Sequence, residues 1–334
     1  ENYQSAGHSP INEYDSPHMQ PHMDGERYLP VNQIHQGDAR ELLDRIQPDS
    51  IALSVWSPPY FVGKSYEKGW QFETWRELLR SVIGKHFRIL KPGGFLAINI
   101  ADILCFADSS MPRIQAKKLG GHRLPVSQED ILRVHAEHPD YNRFQLAALL
   151  GVSEQTVDRR LKNNNIRGGK YNTQTRVQLV GGFLEEAAYE AGLYLYDRRV
   201  WVKDPAWENG RWHTNSYRAV DEFEYIYIFW KAGITTINRR RLTKEEWVEW
   251  GSRAVWNISS VRANDDHEAK FPKELPRRLI RLLTEPGDIV LDCFIGSGTT
   301  ALAALENDRH FLGIEKLAKY VHLARSALQQ CGSN

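Results

Sequence analysis

Two short stretches of this 334-residue chain carry turns and side chains suited to chemistry. In Ser57-Pro58-Pro59-Tyr60 a hydroxyl and an aromatic ring frame two adjacent prolines. Neither proline can continue a helix or donate to a sheet ladder, yet the apolar run Ser50 to Trp56 before them reads as a buried strand. The second stretch, Ile289 to Thr300 (I-V-L-D-C-F-I-G-S-G-T-T), is an apolar strand passing through a glycine turn into a helix. Such a turn lets a ligand approach the backbone at the carboxyl edge of a sheet. Glu315 follows Asp292 by 23 residues, at the tip of the next expected strand, where a carboxylate can accept from both hydroxyls of a ribose. The third glycine of the dinucleotide fingerprint is absent, since Ala301 and Leu302 follow the threonines, and the lysine of the phosphate loop is missing too. The pattern therefore argues against a pyrophosphate ligand, and so against a nicotinamide dehydrogenase or a nucleotide hydrolase.

The elements that must hold these stretches alternate in type. A short strand precedes Gly37-Asp38, followed by a helix Ala39 to Ile46, a strand Ile51 to Trp56 and a helix from Phe72 to Leu90. The turn Lys91-Pro92-Gly93-Gly94 then leads into a strand Phe95 to Ile100. The rhythm breaks over Ser109 to Arg176 and resumes with a helix Val177 to Ala191 and strands Leu193 to Val202 and Glu222 to Trp230. Near the end come a helix Pro276 to Leu283, a strand Ile289 to Cys293, a helix after Gly298 and a strand Phe311 to Glu315. This predicts an α/β fold with a doubly wound, mostly parallel sheet. Residues 1–26, rich in Pro, His, Asn and Ser, show no apolar period and are expected to be a flexible tail.

Composition bounds the rest. No apolar run approaches the ~20 residues that span a bilayer, and the first residues lack the apolar core of a signal peptide, so an intracellular location without membrane contact is expected. Cys105, Cys293 and Cys331 are too few and too scattered for a disulfide framework or a zinc site. They read as reduced thiols, with Cys293 in the core and no metal expected. The net charge is +1, but Ser109 to Arg176 holds 12 Lys+Arg against 6 Asp+Glu. A local surplus of that kind fits either a nucleic-acid contact or a solvated basic surface.

Ser57-Pro58-Pro59-Tyr60 together with Asp292 to Thr300 resembles the amino-group DNA methyltransferases that use S-adenosyl-L-methionine. The S-P-P-Y element comes first in the chain and the glycine loop last, which resembles that family's circularly permuted β group; such permutation is tolerated where chain ends lie close together. Gly37-Asp38-Ala39 resembles the element whose Asp holds the cofactor's adenine amino group, and His267 to Pro272 resembles the segment flanking its methionine end. Lys91 to Gly94, Trp201 to Lys203 and Glu224 to Ile226 resemble the core turn and strands. The resemblance implies a Rossmann-like methyltransferase fold. It further implies a cofactor site at Asp38, Ala39, His267, Phe271, Asp292, Phe294, Gly296, Ser297, Gly298, Thr299, Thr300 and Glu315.

The resemblance also explains the stiff turn. The exocyclic nitrogen of cytosine or adenine is a poor nucleophile because its lone pair is delocalised into the ring. A turn stiffened by Pro58 and Pro59 can offer a backbone carbonyl and the Ser57 hydroxyl to the two N–H groups, favouring the tetrahedral nitrogen of the transition state. Tyr60 can stack on a base flipped out of the duplex. No strong general base is required, because the methylated nitrogen is cationic and acidic. Serine in the first position resembles members that methylate cytosine N4, whereas Asp is usual in adenine N6 enzymes.

Within the interruption, Arg143 to Leu161 places apolar residues at Leu146, Leu150, Val152, Val157 and Leu161, with Gly151 at a turn, small Ala147 where two helices would touch and Ser153 as an N-cap. This resembles a helix-turn-helix, whose second helix enters the major groove. Gln155, Thr156, Arg159 and Arg160 are the expected DNA contacts. Arg239, Arg240 and Arg241, in the short stretch after the Glu222 to Trp230 strand, are expected to share target reading; Trp247 and Trp250 are expected to pack. The organisation read here is a tail (1–26), a catalytic half (27–108), a DNA-binding insertion (109–176), further core (177–230), a target-recognition segment (231–266) and a cofactor half (267–330).

The function expected is methylation of cytosine N4 in double-stranded DNA, with room for a restriction endonuclease partner and a homodimer. Adenine N6, or an amino group of RNA or protein, stands as the alternative target. A regulator with a vestigial methyltransferase fold stands as the alternative class.

Overall fold

The computed structural model describes residues 27–61, 71–112, 126–162, 174–205, 219, 221–261 and 272–331, without the side chains of Cys105, Arg159 and Cys331. Its strands are β1 (Gln33–Gln36), β2 (Ile51–Trp56), β3 (Leu90–Ile100), β4 (Ile103–Ala107), β5 (Thr175–Gln178), β6 (Leu193–Val202), β7 (Phe223–Lys231), β8 (Val255–Asn257), β9 (Ile289–Asp292) and β10 (His310–Glu315). All but β4 and β5 join one sheet in the order β1-β10-β9-β2-β3-β7-β6-β8. Strands β1, β10, β9, β2 and β3 are mutually parallel, while β7 is antiparallel to both β3 and β6, and β8 runs parallel to β6. This is the doubly wound, mostly parallel sheet that the alternating pattern predicts.

Helices cover both faces, which is why the central strands are apolar on both sides. On one face lie α1 (Ala39–Leu42), α2 (Phe72–Ile89) and α6 (Gly181–Glu190). The buried residues of α2 (Trp75, Leu79, Val82, Ile83, His86 and Ile89) recur every three or four positions and form one stripe against the sheet. The short α7 (Lys244–Glu246), whose chain continues to buried Trp250, lies on the other face with α8 (Glu274–Leu283), α9 (Thr299–Leu305) and α10 (Ala318–Cys331). Cys293 is buried with a free thiol. Among the described residues no helix is long and apolar enough to cross a membrane.

Three local expectations need correction. The helix expected over Ala39 to Ile46 is α-helical only to Leu42 and tightens to a 3-10 turn over Leu43–Arg45. Lys91-Pro92-Gly93-Gly94, expected as a turn before a strand, lies inside β3 as an irregularity: the pairing moves from Ile51↔Leu90 to Leu53↔Phe95, and Gly93 takes φ +82°. The helix expected from Val177 begins only at Gly181, because Thr175 to Gln178 pairs with β4 and the Val180 N–H donates to the Asp102 carboxylate at 2.8 Å.

The β4–β5 ribbon frames the interruption. Between them stand α3 (Gln128–Glu137), α4 (Arg143–Leu150) and α5 (Glu154–Leu161), packed around Val126, Ile131, Val134, Leu146, Ala147 and Val157. Gly151 closes α4 in the left-handed region at φ 64°, and Ser153 caps α5 by accepting from the Thr156 N–H. The α4–α5 turn follows the sequence reading; α3, with a Ser127–Asp130 capping box, is an addition to it.

Candidate functional site

Parallel strands place their following loops along one edge. From the strand order, Asp38 after β1, Glu315 at the end of β10, Asp292 at the end of β9 and Ser57 after β2 stand in a row on the carboxyl edge of four adjacent strands. The two motifs, far apart in sequence, are thereby neighbours. Trp56, just before Ser57, meets Phe294 of the glycine loop edge to face with ring centroids 5.4 Å apart.

The S-P-P-Y turn is bonded to two other elements, α2 and β7. The Trp75 indole of α2 donates to the Pro59 carbonyl at 2.7 Å, while the Pro58 carbonyl accepts from no described residue. The Ser57 hydroxyl donates to the Tyr60 phenol oxygen at 3.1 Å, and that phenol donates to Glu224 Oε2 at 2.7 Å. Glu224, only 7 % exposed at the start of β7, receives Lys203 Nζ on its other oxygen at 2.8 Å, and Lys203 also reaches Asp221 at 3.1 Å. Burial alone would lower the pKa of the Lys203 ammonium, but the two carboxylates more than offset it and raise it. Beneath the turn, His86 is fully buried and its pKa is pushed down to about 4 by desolvation, so it is a neutral imidazole bonded to Ser54 Oγ at 2.8 Å.

Glu224 and Lys203 are the site residues that sequence reasoning missed, having read them only as parts of strands. For Glu224 the available signal was a carboxylate at the head of the aromatic and apolar run Tyr225 to Trp230; Lys203, just beyond a β6 that itself carries Asp197, Arg198 and Arg199, offered none.

The glycine loop is shaped from behind. Asp292 is 1 % exposed and accepts from the Phe294 N–H at 3.0 Å and from the Thr300 hydroxyl at 2.6 Å. Burial pushes the Asp292 carboxyl up to about 7, against the pull of those two bonds. Thr300 is likewise buried, so Asp292 and Thr300 support the loop rather than face a ligand, a correction to the expected site residues. Gly298 takes φ +89°, and a Cβ there would stand 3.1 Å from the Ala324 Cβ of α10, so the loop packs only with glycine. Ser297 and Thr299 have their hydroxyls 3.4 Å apart.

Glu315 Oε2 accepts from the Gly296 N–H at 3.0 Å and Oε1 from the Leu317 N–H at 2.8 Å. A carboxylate oxygen can accept more than one bond, so each retains capacity for a hydroxyl. Burial raises the Glu315 pKa, partly offset by backbone N–H donors. Asp38 caps α1, placing Ala39 behind it, and is bound by Arg40 at 2.8 Å and Lys316 at 3.1 Å, which hold its carboxyl well below the usual range. A row of carboxylates beside exposed backbone, with no cation bound to the glycine loop among the described residues, fits an adenosyl group carrying hydroxyl and amino donors and does not fit a phosphate. His267 and Phe271 lie outside the described residues.

The arginine run lies elsewhere. Since β7 is antiparallel to β3, the chain after Lys231 emerges at the amino edge, opposite Ser57. There Arg241 donates to Glu285 at 2.8 Å and to the Leu282 and Thr236 carbonyls at 3.0 Å. Arg239, Arg240 and Arg241, expected to share target reading, thus stand at the edge opposite the S-P-P-Y turn.

The insertion leaves β3 at the carboxyl edge, on the side of the S-P-P-Y turn. In α5, Gln155 is exposed and the Thr156 hydroxyl meets Ser153 Oγ at 2.9 Å; Arg160 is half-buried, and the Arg159 side chain is outside the described part. The charge is uneven within the interruption. Residues 126–162 hold 5 Lys+Arg against 6 Asp+Glu, whereas 113–125 and 163–176 together hold 7 Lys+Arg and no Asp or Glu. Arg143 pairs with Glu154 at 2.9 Å, and Lys162 with Asp158 at 2.9 Å. The basic surplus belongs to the segments flanking the three helices.

Comparison with known proteins places the chain among DNA methyltransferases. A family model of the N6/N4 methyltransferase type, described as DNA methylase, matches residues 51–326. The Type II methyltransferase M.BglI of Bacillus subtilis is 61% identical over 307 residues, covering 92% of this chain and 88% of its own. M.Cfr9I of Citrobacter freundii, also a Type II methyltransferase, is 27% identical over 89% of this chain and 87% of its own. Among solved structures, a Thermus thermophilus protein described as a DNA modification methylase, in complex with S-adenosyl-L-methionine, superposes with a TM-score of 0.58 at 25% identity, over 90% of this chain and 94% of its own. PvuII DNA methyltransferase (cytosine-N4-specific) superposes at 0.54 and 19% identity, over 89% and 86%, a likeness of fold.

Proposed function

The chain belongs to the N6/N4 family of S-adenosyl-L-methionine-dependent DNA methyltransferases, of Type II, and on that premise we propose that it methylates the exocyclic N4 of a cytosine flipped out of duplex DNA. The observation that carries this reading is the Ser57 hydroxyl beside the Pro58 carbonyl, which accepts from no described residue, at the carboxyl end of β2 and next to the glycine loop. Serine at the first position of the turn favours cytosine over adenine through the resemblance described above.

The cofactor, when bound, supplies an electrophilic methyl group on a sulfonium. Glu315 would accept from its ribose hydroxyls and Asp38 from the adenine amino group, and the Phe294 to Thr299 loop would hold its methionine part. Ser57 Oγ and the Pro58 carbonyl accept from the two N–H groups of the base and draw its nitrogen out of the ring plane. Tyr60 provides the surface on which the extruded base rests, offsetting a few kcal/mol of unstacking. The α5 helix, through Gln155, Thr156, Arg159 and Arg160, reads DNA, and the basic flanks bind phosphates. A restriction endonuclease acting at the same sequence is the partner this reading expects.

Nucleoside analysis of duplex DNA incubated with the protein and the cofactor tests it. N4-methylcytosine is the expected product; N6-methyladenine would move the target to the other base while leaving the amino-group chemistry in place.

A further inference from the structure

A serine hydroxyl has one proton to donate and two lone pairs to accept with. The amino group of a base needs acceptors, so a serine free to turn its proton toward that nitrogen would oppose the lone pair that must attack. The structure contains a device that removes this freedom. Ser57 Oγ donates to Tyr60 Oη at 3.1 Å, Tyr60 Oη donates to Glu224 Oε2 at 2.7 Å, and the chain ends on a carboxylate, which can only accept. Lys203 holds the other carboxylate oxygen at 2.8 Å and is itself anchored by Asp221 at 3.1 Å.

We propose that Glu224 is a positioning residue that sets the hydrogen-bond polarity of the S-P-P-Y turn, so that Ser57 meets the target amino group as an acceptor. The inference rests on the reading that Ser57 and Tyr60 face the target base. It gives Lys203 a part as well: its ammonium fixes which oxygen of Glu224 faces the phenol. The Pro59 carbonyl is occupied by the Trp75 indole, and the Ser57 lone pairs and the Pro58 carbonyl, which this reading gives to the base, are both acceptors.

The test exploits a reversal. In Glu224→Gln the Lys203 ammonium retains the amide oxygen, and the amide NH2 then faces Tyr60 as a donor. The phenol proton is turned back toward Ser57, whose own proton is turned toward the amino group. Single-turnover methyl transfer to duplex DNA should fall about 30-fold or more, at saturating cofactor and with unchanged cofactor affinity. Tyr60→Phe removes the relay but keeps the ring, and should cost only about fivefold. The double variant Tyr60→Phe/Glu224→Gln has no phenol to reverse, so its rate should recover to that of Tyr60→Phe.

A supporting role for Glu224 in folding alone predicts no such recovery. Overturning results are a Glu224→Gln rate within about threefold of the parent, or a double variant no faster than Glu224→Gln. Parent-like activity in Tyr60→Ala would instead remove the base-facing reading beneath the proposal, a failure distinct from either.

Discussion

At the amino edge of the sheet, Lys91 is paired with Asp288, and Arg241 with Glu285 and two carbonyls. At the carboxyl edge the polar groups are also bonded, but acceptor capacity remains on the Pro58 carbonyl, the Ser57 hydroxyl and both oxygens of Glu315. Both edges carry prolines and charged side chains. What separates them is strand direction, because parallel strands gather their following loops on one side. Residue type alone therefore does not mark a site; its edge does.

The sharpest way to break this contrast is to substitute on both edges. Tyr60→Ala should reduce methyl transfer by about 100-fold, near the upper end for removal of a base-stacking ring, with cofactor affinity intact. Replacing Arg239 and Arg240 by alanine should leave both the rate and DNA affinity at parent levels. Comparable losses on the two edges in single-turnover assays would erase the distinction. Next in size, Glu315→Ala should weaken S-adenosyl-L-methionine binding by roughly 1–3 kcal/mol by calorimetry, the scale of hydrogen bonds to a charged group. An unchanged affinity would remove Glu315 from the cofactor site.

A smaller effect sharpens the contrast within the carboxyl edge, between core and insertion. Reversing Arg159 and Arg160 to Glu should lower DNA affinity and flatten its dependence on log salt by about 0.9 for each phosphate that is no longer neutralised. Reversing Lys117 and Lys118 in the basic flank should flatten it too. If only the flank charges change the slope, α5 reads bases or packs, and phosphate binding belongs to the flanks.

The smallest expected effect concerns Asp292. Its folded pKa, about 7, lies above the ordinary 3.8, so the folded state holds a proton that the unfolded chain releases. The stability this contributes is complete below the unfolded value and is lost as pH rises through 7. Asp292→Asn should therefore lose less melting temperature than the parent between pH 5.5 and 8. Equal slopes in a thermal melt would show that Asp292 does not carry the burial-raised pKa.

Much of the core was legible because its strands are long apolar runs: β2, β6 and β7 follow the boundaries their composition implies within a residue or so. The α4–α5 turn was legible from Gly151 and Ser153. Strands β4 and β5 were not, since Thr-Arg-Val-Gln is short and polar and acquires its conformation by pairing across the insertion. The helix α3 buries only Ile131 and Val134, too few to set a period. The Tyr60–Glu224 bond joins residues 164 apart, and the edge at which the arginine run stands was not legible because the direction of β7 is a tertiary fact.

Photo-cross-linking tests the central claim most directly. A duplex with 5-iodocytosine at the target position, irradiated in complex with the protein and a non-reactive cofactor analogue, should attach to the peptide containing Tyr60. Attachment instead to the peptide spanning residues 234–246 would put the reacting base at the amino edge and contradict the account.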